Sequence, residues 1–137
     1  MFRTVLACGA LVLAAGCSGP TINAASVPPA GPSAVLDPAL AAPGPQRGTV
    51  RIARDSGAWN SGKTVRIYLD GRHVANGESN RRVDLHVPVG AHNLGVQVDE
   101  AGQPIHYQDV NVQAGETYDF GISASAFGGE WEFMRLK

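Results

Sequence analysis

The four histidines are the residues of this chain that could bind a metal ion or transfer a proton near neutral pH. They are spread along the sequence at His73, His86, His92 and His106. No two of them form a His-x-His pair, and both cysteines, Cys8 and Cys17, lie far upstream. Zinc sites draw their ligands from closely spaced histidines and cysteines. The sequence therefore predicts no metal site, and we expect no cofactor.

His92 lies in VPVGAHNLGVQV, residues 87–98, where apolar residues alternate. Pro88 lacks a backbone donor and should end one strand, and Gly90 allows the chain to reverse. His92 then falls in phase with the buried side chains of the next strand. We expect its ring to pack while its nitrogens bond turn carbonyls or a neighbouring side chain. The alternative is a metal or proton-transfer site, which the scattered histidines do not favour.

A phosphate-loop spacing, G-x-x-x-x-G-K-T, is met by Gly57, Gly62, Lys63 and Thr64. A working phosphate loop stands between a strand and a helix, whose N-terminus helps to hold the phosphates. The residues that follow here, TVRIYLDG, are typical of a strand that ends in a hairpin turn. We interpret the match as a coincidence of composition.

Hydrolase patterns are missing from the same part of the chain. No serine stands in the G-x-S-x-G pattern that exposes a nucleophile. Asp99 and Glu100 share a predicted turn, while Glu130 and Glu132 flank Trp131. A glycosidase pair needs two carboxylates about 5–10 Å apart in a cleft, whereas these pairs are typical of solvated faces. We therefore expect that the protein is not an enzyme.

The loop ARDSGAWNSGK, residues 53–63, is the candidate binding surface. Trp59 stands there among small polar residues, with Asn60 and Asp55 nearby. An exposed tryptophan with such neighbours suits stacking on a sugar ring or docking a protein partner. The alternative is that Trp59 folds back over one end of the domain, since large aromatic side chains usually bury their rings.

The first residues are typical of an export signal. Arg3 is followed by a mostly apolar stretch, residues 5–15, that is shorter than the roughly 20 residues needed to span a bilayer. Residues 13–17, Leu-Ala-Ala-Gly-Cys, resemble the lipobox of bacterial lipoproteins, with Ala14 where leucine is usual. That resemblance implies cleavage between Gly16 and Cys17 and acylation of Cys17, with palmitate as a typical chain. Ser18, where aspartate would signal inner-membrane retention, favours the outer membrane.

The remaining chain divides into a linker and one domain. Residues 1–16 are the predicted signal peptide, 17–47 the lipidated cysteine with a Pro/Ala-rich tether, and 48–137 the domain. The tether has no helical or strand period and too little apolar surface to offset its ordering entropy, so we expect it to be disordered. The domain retains no cysteine. Its hydrophobic core must then hold it without disulfides.

Period-two alternation dominates the domain. Segments such as TVRIYL, RVDLHV and TYDFGIS each place apolar residues on one face. Asp70-Gly71 is a strong hairpin signal. In IHYQDVNV the apolar phase changes, which predicts a bulge near Gln108 and Asp109. Seven or eight short strands at this spacing predict an all-β fold, a small antiparallel β-sandwich.

Three segments of the domain together resemble the PEGA-type and related small lipoprotein domains of bacterial envelopes. They are VRIYLDGRHVA, VDLHVPVGAHNLGVQV and VNVQAGETYDFGIS. The matching residues are Asp70, Gly71, Pro88, Gly90, His92, Gly115 and Tyr118. The resemblance implies an immunoglobulin-like or transthyretin-like sandwich without catalytic residues.

The formal net charge of −1 gives no reason to expect a nucleic-acid partner. We expect a monomeric, lipid-anchored lipoprotein of the outer membrane, on its periplasmic face or at the cell surface, where it could be an antigen. Its function would be that of a non-catalytic binding or scaffold module that contacts envelope proteins or cell-wall glycan. The alternatives are a small envelope hydrolase acting on glycan or peptide, and a structural subunit of a secretion or pilus assembly.

Overall fold

The computed structural model describes residues 22–55, 62–98, 103–124 and 131–136. These residues form eight strands: β1 (Arg47–Arg54), β2 (Val65–Leu69), β3 (Arg72–Gly77), β4 (Arg82–Pro88), β5 (Gly90–Val98), β6 (His106–Val112), β7 (Thr117–Ala124) and β8 (Trp131–Arg135). Three short 3-10 turns, Ala24–Ser26, Pro32–Ala34 and Pro38–Leu40, precede β1. The predicted all-β class is confirmed.

The strands form two four-stranded sheets. Sheet A has the order β4-β1-β7-β8, and sheet B has the order β3-β2-β5-β6. The predicted β-sandwich is confirmed, with one pair, β1 and β7, that runs parallel. Immunoglobulin sandwiches keep their first two strands in one sheet, whereas β1 and β2 lie in different sheets here. The strand order therefore differs from the immunoglobulin-like arrangement, one of the two that the resemblance implied.

One hydrophobic core joins the inner faces of the two sheets. The largest fully buried side chains include Phe120, Ile52, Ile67, Leu85 and Leu94. Each is buried because it occupies an inward position of the period-two pattern, and each such side chain contributes about 1.5–3 kcal/mol to the free energy of unfolding. The alternation in the sequence therefore predicts the core directly.

Arg54 is a charged side chain inside one end of this core, only 2% exposed. Its guanidinium lies over the ring of Trp131 in sheet A, 5.0 Å from the ring centroid. It donates to the carbonyl oxygens of Lys63 and Gly77 on the side of sheet B. Burial lowers the pKa of Arg54 despite the nearby charge of Asp55. The side chain thereby joins the two sheets at this end.

The β2–β3 hairpin has the predicted two-residue turn. Asp70 and Gly71 have positive φ angles of 51° and 81°, as a type I′ turn requires. The register of this hairpin shifts between Ile67 and Tyr68. The irregularity of sheet B therefore lies in the β2–β3 pair, where the consecutive residues Val74 and Ala75 are both buried.

The bulge predicted near Gln108 and Asp109 is wrong. β6 pairs regularly with β5 along its whole length. The apolar phase changes because Gln108 takes an inward position, where its Nε2 donates to the carbonyl oxygen of Phe133, 3.0 Å away. Tyr107 consequently points outward and is 58% exposed. A hydrogen bond between β6 and β8 takes the place of an apolar contact at this edge of the sandwich.

Residues 22–46, here called the N-terminal strap, lie against the sandwich. These residues belong to the predicted tether, and within the described range they form three 3-10 turns and bury several side chains. Ala24, Ala34 and Leu40 are buried, with exposures of 1%, 7% and 4%. Ala34 and Leu40 belong to the core itself. The folded body therefore begins well before residue 48, because a few small or apolar side chains at irregular spacing fill gaps that the strands leave.

The strap covers the two edge strands on one side of the sandwich, β3 and β4. The N–H of Ala30 donates to the carbonyl of Arg82 in β4, and the N–H of Leu36 donates to Val74 in β3, both at 2.8 Å. The strap makes only isolated bridges with these edges. Its prolines explain this, since they cannot donate to a ladder. Covering both edges hides them from pairing with other chains.

Under the strap, Arg51 and Asp119 form a bidentate pair on the outer face of sheet A. The Nε–Oδ1 distance is 2.6 Å and the Nη2–Oδ2 distance is 2.9 Å. The side chain of Asp119 is 10% exposed. Its hydrogen bond raises the pKa of Arg51, although burial acts in the opposite direction. The pair joins the neighbouring strands β1 and β7.

Candidate functional site

His92 connects the two sheets at one corner of the sandwich. Its Nδ1 lies 2.6 Å from Oδ2 of Asp70 in the β2–β3 turn, and its Nε2 lies 2.7 Å from the carbonyl oxygen of Pro88 at the end of β4. The expectation that its nitrogens bond a neighbouring side chain and a turn carbonyl is confirmed. The ring is 14% exposed, because it packs in phase with the inward face of β5.

This geometry decides what His92 can do. A carboxylate and a carbonyl oxygen only accept hydrogen bonds, so both ring nitrogens face acceptors that belong to the fold. Both nitrogens are therefore engaged in contacts within the protein. Burial acts to raise the pKa of Asp70, but the N–H of Asn93, the His92 ring and the charge of Arg72 together lower it below its ordinary value. The corner is a structural link between the two sheets.

The other residues of the family-like pattern have local structural roles. Gly90 and Gly115 have φ angles of 134° and 76°, which favour glycine at these two turns. Both turns carry the chain from one sheet to the other. The hydroxyl of Tyr118 accepts a hydrogen bond from the N–H of Gln113 at 2.9 Å, a link resembling a tyrosine corner.

The residues predicted for anchoring and for the binding loop are only partly visible. Gly16, Cys17, Trp59 and Asn60 lie outside the described residues. Asp55 is described. Its Oδ2 accepts a hydrogen bond from Ser123 at 2.7 Å, and its N–H donates to Ile122 at 3.1 Å. These bonds tie the end of β1 to β7, so Asp55 supports the fold.

The outer face of sheet B carries a set of side chains that the sequence interpretation missed. It will be called the sheet B face. The strap contacts sheet A and the edges of β3 and β4 instead. The sheet B face combines aromatic, amide, carboxylate and guanidinium groups: Arg66, Tyr68, His73, Asn76, Asn93, Gln97, Tyr107, Asp109 and Asn111.

Tyr107 lies across a glycine in the middle of this face. Tyr68, Gly95 and Tyr107 are neighbours on three adjacent strands. A Cβ atom built on Gly95 would meet ring atoms of Tyr107 at 3.2 and 3.3 Å. The ring therefore rests on the sheet at the position where a side chain is missing. At 58% exposure, Tyr107 presents much of its surface to solvent.

A depression of about 510 Å³ lies at the corner of His92, and its lining residue Asp109 is two positions from Tyr107 on the same face of β6. It is lined by Asp70, Ala91, His92, Asn93, Asp109, Val110 and Asn111. Asn93 holds both carboxylates, since its N–H donates to Asp70 at 2.8 Å and its Nδ2 donates to Asp109 at 2.9 Å. The depression thus combines fixed hydrogen-bonding groups with a small apolar wall.

The sequence did contain a signal for this face. Tyr107, Asp109 and Asn111 occupy every second position of β6, opposite to the inward Val110 and Val112. The polar and aromatic side chains of this face are therefore the outward-facing residues of the segment IHYQDVNV. The bulge interpretation concealed them, because it assigned Tyr107 to the inward phase.

Within the ranges that the structure describes, no group of three or more His, Cys, Asp or Glu side chains could hold a metal ion. No helix among those residues is long and apolar enough to cross a membrane. No family model matches the chain, and no curated protein is significantly similar to it.

Proposed function

We propose that this protein is a bacterial envelope lipoprotein, anchored through Cys17 to the outer membrane, whose PEGA-like sandwich is a binding module and not a catalyst. The observation that carries the anchor is the sequence of residues 13–17, which resembles a lipobox and ends an apolar export segment. Two or more acyl chains give stable membrane attachment without a transmembrane helix.

The position of the strap indicates which side of the sandwich a lipidated Cys17 would hold beside the membrane. The described body begins at Ile22, and residues 18–21 separate it from Cys17. Five residue steps reach at most roughly 17 Å. A lipidated Cys17 would therefore hold the sandwich beside the lipid surface, on the side where Ile22 and Ala24 lie over sheet A. The sheet B face would be directed away from that attachment point.

The binding role is supported by the difference between polar side chains that hold the fold together and those that the sheet B face presents to solvent. His92, Asp70 and Asp55 are all engaged in bonds that hold the fold together. The sheet B face, in contrast, offers an exposed tyrosine and several amides. Such a surface is suited to recognising a ligand by stacking and hydrogen bonding.

Membrane fractionation of cells that express the full chain tests the anchor. The wild-type protein should sediment with membranes and require detergent for release, whereas Cys17→Ala should be released in soluble form. Cys8→Ala is the matched control, because Cys8 lies inside the segment that cleavage would remove, and it should behave as the wild type does. Equal membrane association of the wild type and Cys17→Ala would contradict the proposal.

A further inference from the structure

We infer that the sheet B face binds a glycan chain of uncharged N-acetylhexosamine residues, with one sugar stacked on Tyr107 and the acetamido group of its neighbour in the adjoining depression. This inference names the ligand of the proposed binding module and rests on that proposal. It follows from the ring, the polar groups beside it and the shape and charge of the depression.

The ring of Tyr107 supplies the stacking surface. It lies over Gly95 and is 58% exposed, so one face is supported by the sheet while the other is open. Exposing an aromatic ring in this way leaves apolar surface in water, which a bound apolar sugar face would cover. Tyr68, on the other side of Gly95, lies two strand spacings away, about 10 Å. The two tyrosines thus lie in one row that crosses three strands.

Polar side chains that are held by hydrogen bonds lie at both ends of this row. Gln97 accepts a hydrogen bond from the hydroxyl of Tyr68 at 3.1 Å and donates to the carbonyl of Gln103 at 3.1 Å. Asn93 is held by Asp70 and Asp109 at the other end. Held side chains lose little conformational freedom when a ligand binds, so their remaining hydrogen-bonding capacity is available at low entropic cost. Sugar hydroxyls, which both donate and accept, match such a mixture of amides and carboxylates.

The depression favours an N-acetyl sugar over a plain hexose. Its wall includes the exposed methyl group of Ala91, next to Asn93, Asp109 and Asn111. An acetamido group has a methyl, an N–H donor and a carbonyl acceptor in one plane. The methyl would lie against Ala91, the N–H would donate to Asp109, and the amide of Asn111 would donate to the carbonyl.

The charge of the depression selects against anionic ligands. Asp70 and Asp109 both face it, and the pKa of Asp70 is lowered, so that carboxylate stays ionised at neutral pH. A phosphate or uronic acid placed there would meet like charges. An uncharged sugar chain meets no such repulsion.

Calorimetric titration of the full-length, detergent-solubilised protein with the tetramer of β-1,4-linked N-acetylglucosamine tests the inference. We expect saturable binding that falls about tenfold or more in Tyr107→Ala and is retained in Tyr107→Phe, which keeps the ring. Asn111→Ala should weaken binding without disturbing any contact of the core. Val89→Ala is the control, because Val89 is similarly exposed, at 47%, but lies outside the sheet B face.

The outcomes separate this inference from the proposed function. Absence of saturable binding to the tetramer, or equal binding by the wild type and Tyr107→Ala in a folded state, would overturn the glycan inference. Tighter binding of a polyphosphate or of a protein extract that is free of glycan would overturn it as well. Membrane attachment is measured on the same variants: Tyr107→Ala should stay in the membrane, while Cys17→Ala should leave the membrane and still bind the sugar.

Discussion

Nδ1 of His92 lies 2.6 Å from Oδ2 of Asp70, although 22 residues separate them in the chain. The same ring reaches the carbonyl of Pro88, so one side chain joins the β2–β3 turn of sheet B to the end of β4 in sheet A. The contact between Asp70 and His92 explains why this chain has an Asp-Gly turn, a proline and a histidine in this order.

Replacing Asp70 by asparagine should reduce the free energy of unfolding at neutral pH, by on the order of 1 kcal/mol for this half-exposed carboxylate. The folded-state pKa of Asp70 lies below its ordinary value of 3.8. Its contribution is therefore present above about pH 4 and is lost as the pH falls through the folded-state pKa.

Denaturant unfolding of the wild type and Asp70→Asn between about pH 6 and about pH 2.5 measures this effect. The difference between the two proteins should shrink as the pH falls. A difference that grows on acidification would contradict the stabilising role of the Asp70 carboxylate. Asparagine is a suitable replacement because it tolerates the positive φ of this position.

Truncating the buried leucine of the strap should destabilise the whole domain. Leu40 is 4% exposed and belongs to the core, so Leu40→Ala should lower the free energy of unfolding by about 2–4 kcal/mol. Leu36, in the same strap but 48% exposed, provides the control Leu36→Ala, with an expected change below about 0.5 kcal/mol. Equal effects of the two substitutions would show that the strap does not contribute to the core.

Two arginine–aspartate pairs should differ in their contribution to stability. Arg51→Ala leaves the nearly buried carboxylate of Asp119 without its bidentate partner and should cost about 2–4 kcal/mol. Arg72→Ala removes a pair with Asp37 in which the arginine is 71% exposed, and should cost less than about 1 kcal/mol. Thermal or denaturant unfolding of both variants checks the order, and the reverse order would be incompatible with the burial of Asp119.

A single methyl group at the start of β1 should also be poorly tolerated. A Cβ atom at Gly48 would lie 2.6 Å from Cγ1 of Val112 and 2.7 Å from the backbone oxygen of Gln113. We expect Gly48→Ala to cost about 1–3 kcal/mol, since backbone must shift to admit it. Gly31→Ala is the control, because nothing lies within 4 Å of the corresponding Cβ. Comparable unfolding midpoints for the two variants would argue against this close approach of β1 to the β6–β7 connection.

The strands were predictable because inward and outward side chains alternate, and the Asp70-Gly71 turn because only a few residue pairs adopt two positive φ angles. The strap was not predictable, since three separated side chains, Ala24, Ala34 and Leu40, are buried without any period. The parallel pairing of β1 with β7 depends on the whole topology and leaves no local signal.

The candidate site was predictable only in part. The bonds of His92 followed from its phase and from its neighbours Pro88 and Gly90. The sheet B face escaped notice because Gln108 at an inward position made β6 look bulged. Gln108 interrupts the apolar alternation of β6 because its side chain bonds to β8. The backbone pairing of β6 with β5 nevertheless stays regular.

The intact mass of the protein purified from membranes tests the lipid anchor. We expect a chain that begins at Cys17 and is heavier than the polypeptide by a diacylglycerol and one amide-linked acyl group. An unmodified chain, or one whose first residue is not Cys17, would contradict the lipid anchor and with it the placement of the domain beside the membrane.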